Sequence, residues 1–209
     1  MTKRRQRPSI GASIAEFGPA LFVFFFIILF PLINLIAIGT GAATVYLIAK
    51  QCATKAGDSA TFGDALISSE AAAYDLWGGG FGAFANLVPV GGFNNSGVDL
   101  FVVDTNISTN VSQRFGPNTP FISGAVNPDE HLYAYEAVAT YEVGPFMNLN
   151  SVPFIGQVPG VGRPARLSYR AARNIEHPEG LQQNIIDVSS ETSGPPPRDI
   201  YQNRNGNFL

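Results

Sequence analysis

Apolar and polar positions divide this chain into unlike stretches. Between Glu16 and Lys50 there is no charged residue, and Ala20 to Gly39 (ALFVFFFIILFPLINLIAIG) is almost continuously apolar. About twenty helical residues rise 30 Å, the thickness of a bilayer's hydrocarbon core, so the stretch predicts a membrane-spanning helix. Helical spacing then continues through Val45, Ile48, Cys52, Ala56 and Ser59, with Phe62, Leu66, Tyr74 and Trp77 extending the stripe. A helical extension over residues 50–77 is expected, with Gly57 and Gly63 as its weak points. The glycine run Gly78-Gly79-Gly80-Phe81-Gly82 ends it.

Beyond Val98 the period changes to two. Val98–Ile107 reads as a strand, and so does Leu132–Val143, which sets Tyr133, Tyr135, Ala137, Ala139, Tyr141 and Val143 on one face and Glu136 and Glu142 on the other. Ala165–Ala171 repeats the alternation, with Ala165, Leu167, Tyr169 and Ala171 opposed to Arg166 and Arg170. Antiparallel pairing of these two strands would align the acidic and basic faces. Residues 144–162 between them are too rich in Pro and Gly for a core element. Phe146, Met147, Phe154 and Ile155 of this connection either meet a partner or the membrane, or fold back as a lid on the sheet. The fold class is therefore α+β: a long N-terminal membrane-spanning helix continuing into an extramembrane helix packed on a small antiparallel β-sheet, followed by a polar C-terminal tail.

Charge adds a direction. Lys3, Arg4, Arg5 and Arg7 precede the apolar run and only Lys50 and Lys55 follow it closely, so the N-terminus is expected in the cytoplasm and the bulk of the chain outside. With those four cations set aside, the remainder is distinctly acidic, which removes nucleic acid as a partner. The single cysteine, Cys52, permits no internal disulfide; it reads as a small buried residue, with an intermolecular disulfide as the sharper alternative. Within the helix, Pro31 is expected to bend the rod, Asn34 to hydrogen-bond across helices, and Gly39 with Ala43 to allow close helix approach.

Catalytic chemistry is not legible. His131 and His177 lie on different segments without metal-ligand spacing, which makes surface or loop histidines the better reading. No nucleophile elbow is present, and Cys52 stands too near the bilayer to act as one. Asp99 and Asp104, or the turn Asn127–Glu130, offer oxygens for calcium but lack the twelve-residue loop pattern. The glycine run has no Gly-Lys-Ser/Thr and does not open a helix after a strand. No enzyme activity and no cofactor are expected.

Glu16 is the residue that most changes the picture, because a carboxylate at the mouth of an apolar helix is costly unless it finds a partner or stays at headgroup depth. Gly11-Ala12-Ser13-Ile14-Ala15-Glu16-Phe17 behind a basic leader resembles the processing site of type IV prepilins, and its Glu-Phe pair resembles the Flp/Tad (tight adherence) branch. Tyr141-Glu142-Val143-Gly144-Pro145, a Gly/Pro loop, and Leu167-Ser168-Tyr169-Arg170-Ala171 leading into Arg173-Asn174-Ile175-Glu176 are similar to the C-terminal part of TadE/TadG-like pseudopilins. The resemblance covers the first fifty residues and Tyr133–Gly180, and leaves residues 78–129 unmatched.

That resemblance implies cleavage between Gly11 and Ala12 by a prepilin peptidase. Glu16 and Phe17 would act in assembly, Glu16 being the fifth residue of the mature chain. It further implies a bacterial inner-membrane, single-pass component of a Tad/Flp-type pilus or secretion machine. Its partners would be the lipid bilayer, other pilins or pseudopilins, a secretion ATPase and inner-membrane platform proteins. The expected layout is a leader at 1–11, a transmembrane helix at 12–49, the helical extension at 50–77, a β-rich periplasmic domain at 78–180 and a mobile tail at 181–209. Rival readings are a signal-anchored periplasmic binding module and a cleaved secretory signal with its site at Ala37-Ile38-Gly39.

Overall fold

A computed structural model describes residues 10–121, 124–151 and 156–182, with backbone only for 10–16. The chain opens as one helical rod: α1 (Ile10–Val23), a π-helical stretch (Phe24–Leu29) and α2 (Phe30–Gly57). Pro31 has no N–H for the preceding turn and its ring crowds that turn's carbonyls. The backbone answers by widening just ahead of it, where the Phe30 N–H donates to the Phe25 carbonyl. Ahead of Pro31, where the sequence predicts a bend, the structure has a π-helical insert within a continuous helix.

The extension expected over 50–77 comes in two pieces. α2 stops at Gly57 and α3 (Phe62–Trp77) folds back along it. Thr61 causes the restart: its backbone is extended, its hydroxyl oxygen accepts the Asp64 N–H at 3.1 Å, and the hydroxyl itself donates to the Asp64 carboxylate at 2.8 Å. Polar contacts zip the two helices together: the Cys52 thiol donates to the Ser69 carbonyl and the Ser69 hydroxyl donates to the Cys52 carbonyl, each at 3.2 Å. Cys52 is free and fully buried, which rules out the intermolecular disulfide for this fold. The glycine run makes the tight corner into α4 (Gly80–Phe84), where a Cβ on Gly82 would collide with the Trp77 carbonyl.

The sheet holds β1 (Leu87–Pro89), β2 (Val98–Asn106), β3 (Ser112–Phe115), β4 (His131–Val143) and β5 (Ala165–Asn174), all paired antiparallel. β4 is its spine. β5 runs along one edge; β2 and then β1 lie end to end along the other, with β3 outside β2. The detour between β1 and β2 is stitched to β4 by the Tyr141 hydroxyl, which donates to the Ser96 carbonyl, and by the Thr140 N–H to the Gly97 carbonyl at 2.7 Å.

The face expected to be apolar on β4 is the buried one: Tyr133, Tyr135, Ala137, Ala139, Tyr141 and Val143 all lie inside. They pack with Leu100 and Val102 of β2 against Val45, Ile48 and Ala56 of α2 and Phe62 and Leu66 of α3. Burial pushes the phenols of Tyr135 and Tyr141 well above their ordinary range. Leu181, which the sequence reading assigned to the tail, is instead a core residue in a short 3-10 turn (Pro178–Gln182). The rest of the expected tail lies outside the described residues.

On the outer face the charge alignment is partial. Glu142 stands opposite Arg166, but Glu136 stands opposite Ala172 and receives Arg114 from β3 at 3.0 Å. That guanidinium lies 3.4 Å from the Phe101 ring centroid, so Phe101 and Glu136 bind it together.

Candidate functional site: the apolar helix and the loop clamped to it

The helical rod has two halves in different surroundings. From Phe17 to Ile33 no residue is buried, and the phenylalanines touch mainly each other, with Phe22 to Phe26 at 4.4 Å and Phe26 to Phe30 at 5.1 Å between ring centroids. From Asn34 onward one side is covered: Asn34, Ala37, Gly41, Thr44, Val45, Ile48, Ala49 and Cys52 are buried at helical spacing. Phe17–Gly57 as a whole is long and apolar enough to cross a membrane.

Asn34 marks the boundary. Its amide nitrogen donates to the Met147 carbonyl at 2.9 Å and to the Val161 carbonyl at 2.5 Å, while its oxygen accepts the Met147 N–H at 2.8 Å. The side chain is fully buried with all three bonds made. The bond expected from Asn34 to another helix therefore goes to this chain's own 144–162 loop, because that loop supplies unpaired backbone groups at the depth of the amide. The loop lies against the helix and not across the sheet as a lid: Gly160 sits on the Ile38 side chain, and the Phe146 ring packs on Phe84 of α4 at 5.4 Å. Phe154 and Ile155 lie outside the described residues.

Among the described residues the opposite side of α2 is open along most of its length, with the Tyr46 ring meeting Tyr169 of β5 edge-on at 6.2 Å. Leu35, Ile36, Gly39, Ala43, Tyr46 and Leu47 are exposed, and a Cβ on Gly39 would meet nothing. The Gly39/Ala43 pair read from the sequence lies on this open side. The small residue that serves close packing inside the fold is Gly41, whose added Cβ would stand 2.7 Å from Val143. Gly11, Ala12 and Glu16 lie in α1 by backbone, their side chains being outside the described residues, and Phe17 is exposed.

A second feature lies at the far end of the sheet. The His131 ring and the Asp104 carboxylate are 2.6 Å apart in the lining of a cavity of about 610 Å³ that also takes in Asn106, Asn127, Glu130 and Tyr133. His131 is thus a half-exposed surface residue, as expected, but it opens β4 and is paired instead of lying in a loop, whereas His177 is exposed. Asp99 accepts from the Asn118 amide and lies five positions from Asp104 on β2, on the other face, so the two cannot share a cation. Among the described residues no group of three or more His, Cys, Asp or Glu is placed to hold a metal.

Compared with family models, curated proteins and solved structures, the chain matches none. What can be said of its role rests on the helix. A cut after Gly39, as a secretory signal would require, falls in the middle of α2. It would remove Asn34 and Ala37 and leave the 144–162 loop without its clamp.

Proposed function

We propose that this chain is a membrane-anchored, non-enzymatic assembly component, a minor pseudopilin of the TadE/TadG type in a Tad/Flp-like pilus or secretion machine. One observation carries the reading. The bare apolar side of the helix runs from Phe17 to Leu47, about 45 Å of helix, whereas a bilayer's hydrocarbon core covers about 30 Å. Lipid accounts for the lower part; the upper part needs another apolar surface, and a neighbouring helix of the same kind supplies one. The open Gly39/Ala43 pair suits close approach of two helices.

In this reading a prepilin peptidase cuts between Gly11 and Ala12 on the cytoplasmic side of the inner membrane, and the domain from Lys50 lies in the periplasm. The new α-ammonium of Ala12 on one subunit pairs with Glu16 on another. In low dielectric such a pair attracts strongly, and either charge left alone is heavily penalised, so Glu16 sets the register of assembly. Phe17 begins the lipid-facing aromatic surface. Other pilins or pseudopilins and the inner-membrane platform are the partners. A signal-anchored binding module is the second reading, favoured by the Asp104–His131 cavity.

The test is the mature N-terminus in cells, read by mass spectrometry of the membrane fraction. Ala12 is the expected start, and a bulky substitution at Gly11 should abolish processing. Met1 would leave a plain anchor and overturn the pseudopilin reading. With Ala12 established, Glu16→Ala should still be processed but fail to enter assemblies.

A further inference from the structure

The lower rim of the domain, where α4 and the clamped loop lie beside the helix, carries a surface that the assembly reading does not use. Phe81 is 75% exposed, Phe146 52%, Val158 44% and Phe84 41%, and Phe84 and Phe146 stack to make one patch across the two segments. Large aromatic groups this open on the outside of a domain mark a surface that meets something apolar. Their height on the helix is set by three contacts: Asn34 holds Met147 and Val161, Ile38 lies under Gly160, and α4 packs beside α2. The rim therefore lies along the covered side of the rod between Asn34 and Gly41.

Charge singles out the same rim. Leu76 to Val98 contains no charged residue and neither does Val143 to Gly162, in a domain that is otherwise acidic; the first charge after the loop is the exposed cation Arg163. Length agrees as well. About twenty helical residues counted from Phe17, enough for one hydrocarbon core, end near Ile36, level with the rim. Aromatic rings and a flanking arginine beside the end of a spanning helix are the composition of a bilayer interface.

We propose that this rim is a lipid-contacting foot: Phe81, Phe84, Phe146 and Val158 rest in the outer interface of the phospholipid bilayer, with Arg163 reaching its phosphates. The foot fixes how far the helix is drawn through the membrane and holds the domain upright on it. It rests on the membrane-spanning reading of the helix, which commits it to a bilayer and not to a soluble apolar ligand.

The test uses the full chain in vesicles of phosphatidylcholine and phosphatidylglycerol, with a nitroxide on one introduced cysteine at a time; buried Cys52 stays unlabelled. Phe24→Cys reports the membrane interior, Val111→Cys the exposed far turn, and Phe81→Cys and Phe146→Cys the foot. The expected result is an oxygen-to-nickel-chelate accessibility ratio at both foot positions raised well above that of Val111 and approaching that of Phe24. Foot labels at the Val111 value beside a high Phe24 value would overturn the foot while leaving the span intact. Foot labels shielded from both reagents would overturn it in favour of a covering protein. A Phe24 label in water would remove the membrane-spanning reading itself, and the foot with it.

Discussion

The two halves of one helix differ in what their side chains leave room for. Between Phe17 and Ile33 the residues are mostly large, Phe, Leu, Ile and Val, and among the described residues none of this stretch is buried. Between Asn34 and Gly57 the covered side is built of Ala, Gly, Thr and Cys with a few larger residues, and the sheet comes down close against it. Hydropathy is higher in the lower half, since Asn34, Lys50, Gln51 and Lys55 fall in the upper one, but it does not say which stripe the fold covers. Size does: small side chains on one stripe let β4 and α3 approach, while large ones all round offer only a lipid or helix-facing surface. An apolar run can thus be part anchor and part domain core.

The comparison breaks most visibly if the lower half is made polar. Ile27→Lys should shift membrane integration by about 2.5–3.5 kcal/mol, seen as a rise in the alkali-extractable fraction, while the domain keeps its stability. A domain destabilised by the same change would mean that the lower half is packed on the fold after all.

Next in size is a matched pair of glycines. Gly41→Leu should cost about 1–3 kcal/mol in chemical denaturation of the detergent-solubilised protein, since Val143 fills the space. Gly39→Leu, two residues away on the open side, should change it by less than about 0.5 kcal/mol. Equal costs would contradict the assignment of covered and bare sides.

The boundary itself is sharpened by Asn34→Leu, which leaves the Met147 N–H and the Met147 and Val161 carbonyls without their partner. The expected cost is about 1–3 kcal/mol, confined to the loop and read as faster amide exchange at Met147 with little change in β4. The smallest effect is on the outer face of the sheet: a double-mutant cycle on Arg114 and Glu136 should return a coupling of about 0.2–1 kcal/mol, because the arginine is partly open to solvent.

How much of this was legible beforehand follows from where each signal resides. The apolar run and the period-two strands β2, β4 and β5 are carried by local patterns, and they stand within a few residues of where the patterns put them. The break at residues 58–61 was hidden because the apolar stripe continues across it. Only the Thr61/Asp64 cap, a local polar signal, marks the restart. β1 is three residues with a proline, and β3 is short and exposed without alternation, so neither had a pattern to read.

Asn34 shows the other kind of limit. That it needed a partner was plain from its place in an apolar helix, but the partner lies 113 residues on, in a loop whose position is a product of tertiary packing. The residues proposed for processing and assembly, Gly11, Ala12, Glu16 and Phe17, were read from a short motif that leaves no mark on the packed domain.

We infer that the lower half of the rod faces lipid and that the bare upper side faces another helix. A photo-crosslinking side chain placed at Phe22 or at Leu47 in the full chain, irradiated in intact cells, tests it directly. The account predicts lipid adducts without a shift in mass class at Phe22. At Leu47 it predicts a protein adduct whose crosslinked peptide maps to the apolar N-terminal helix of a pilin-like subunit. Quenching by water at Leu47, with no protein adduct while Phe22 still labels lipid, would contradict it.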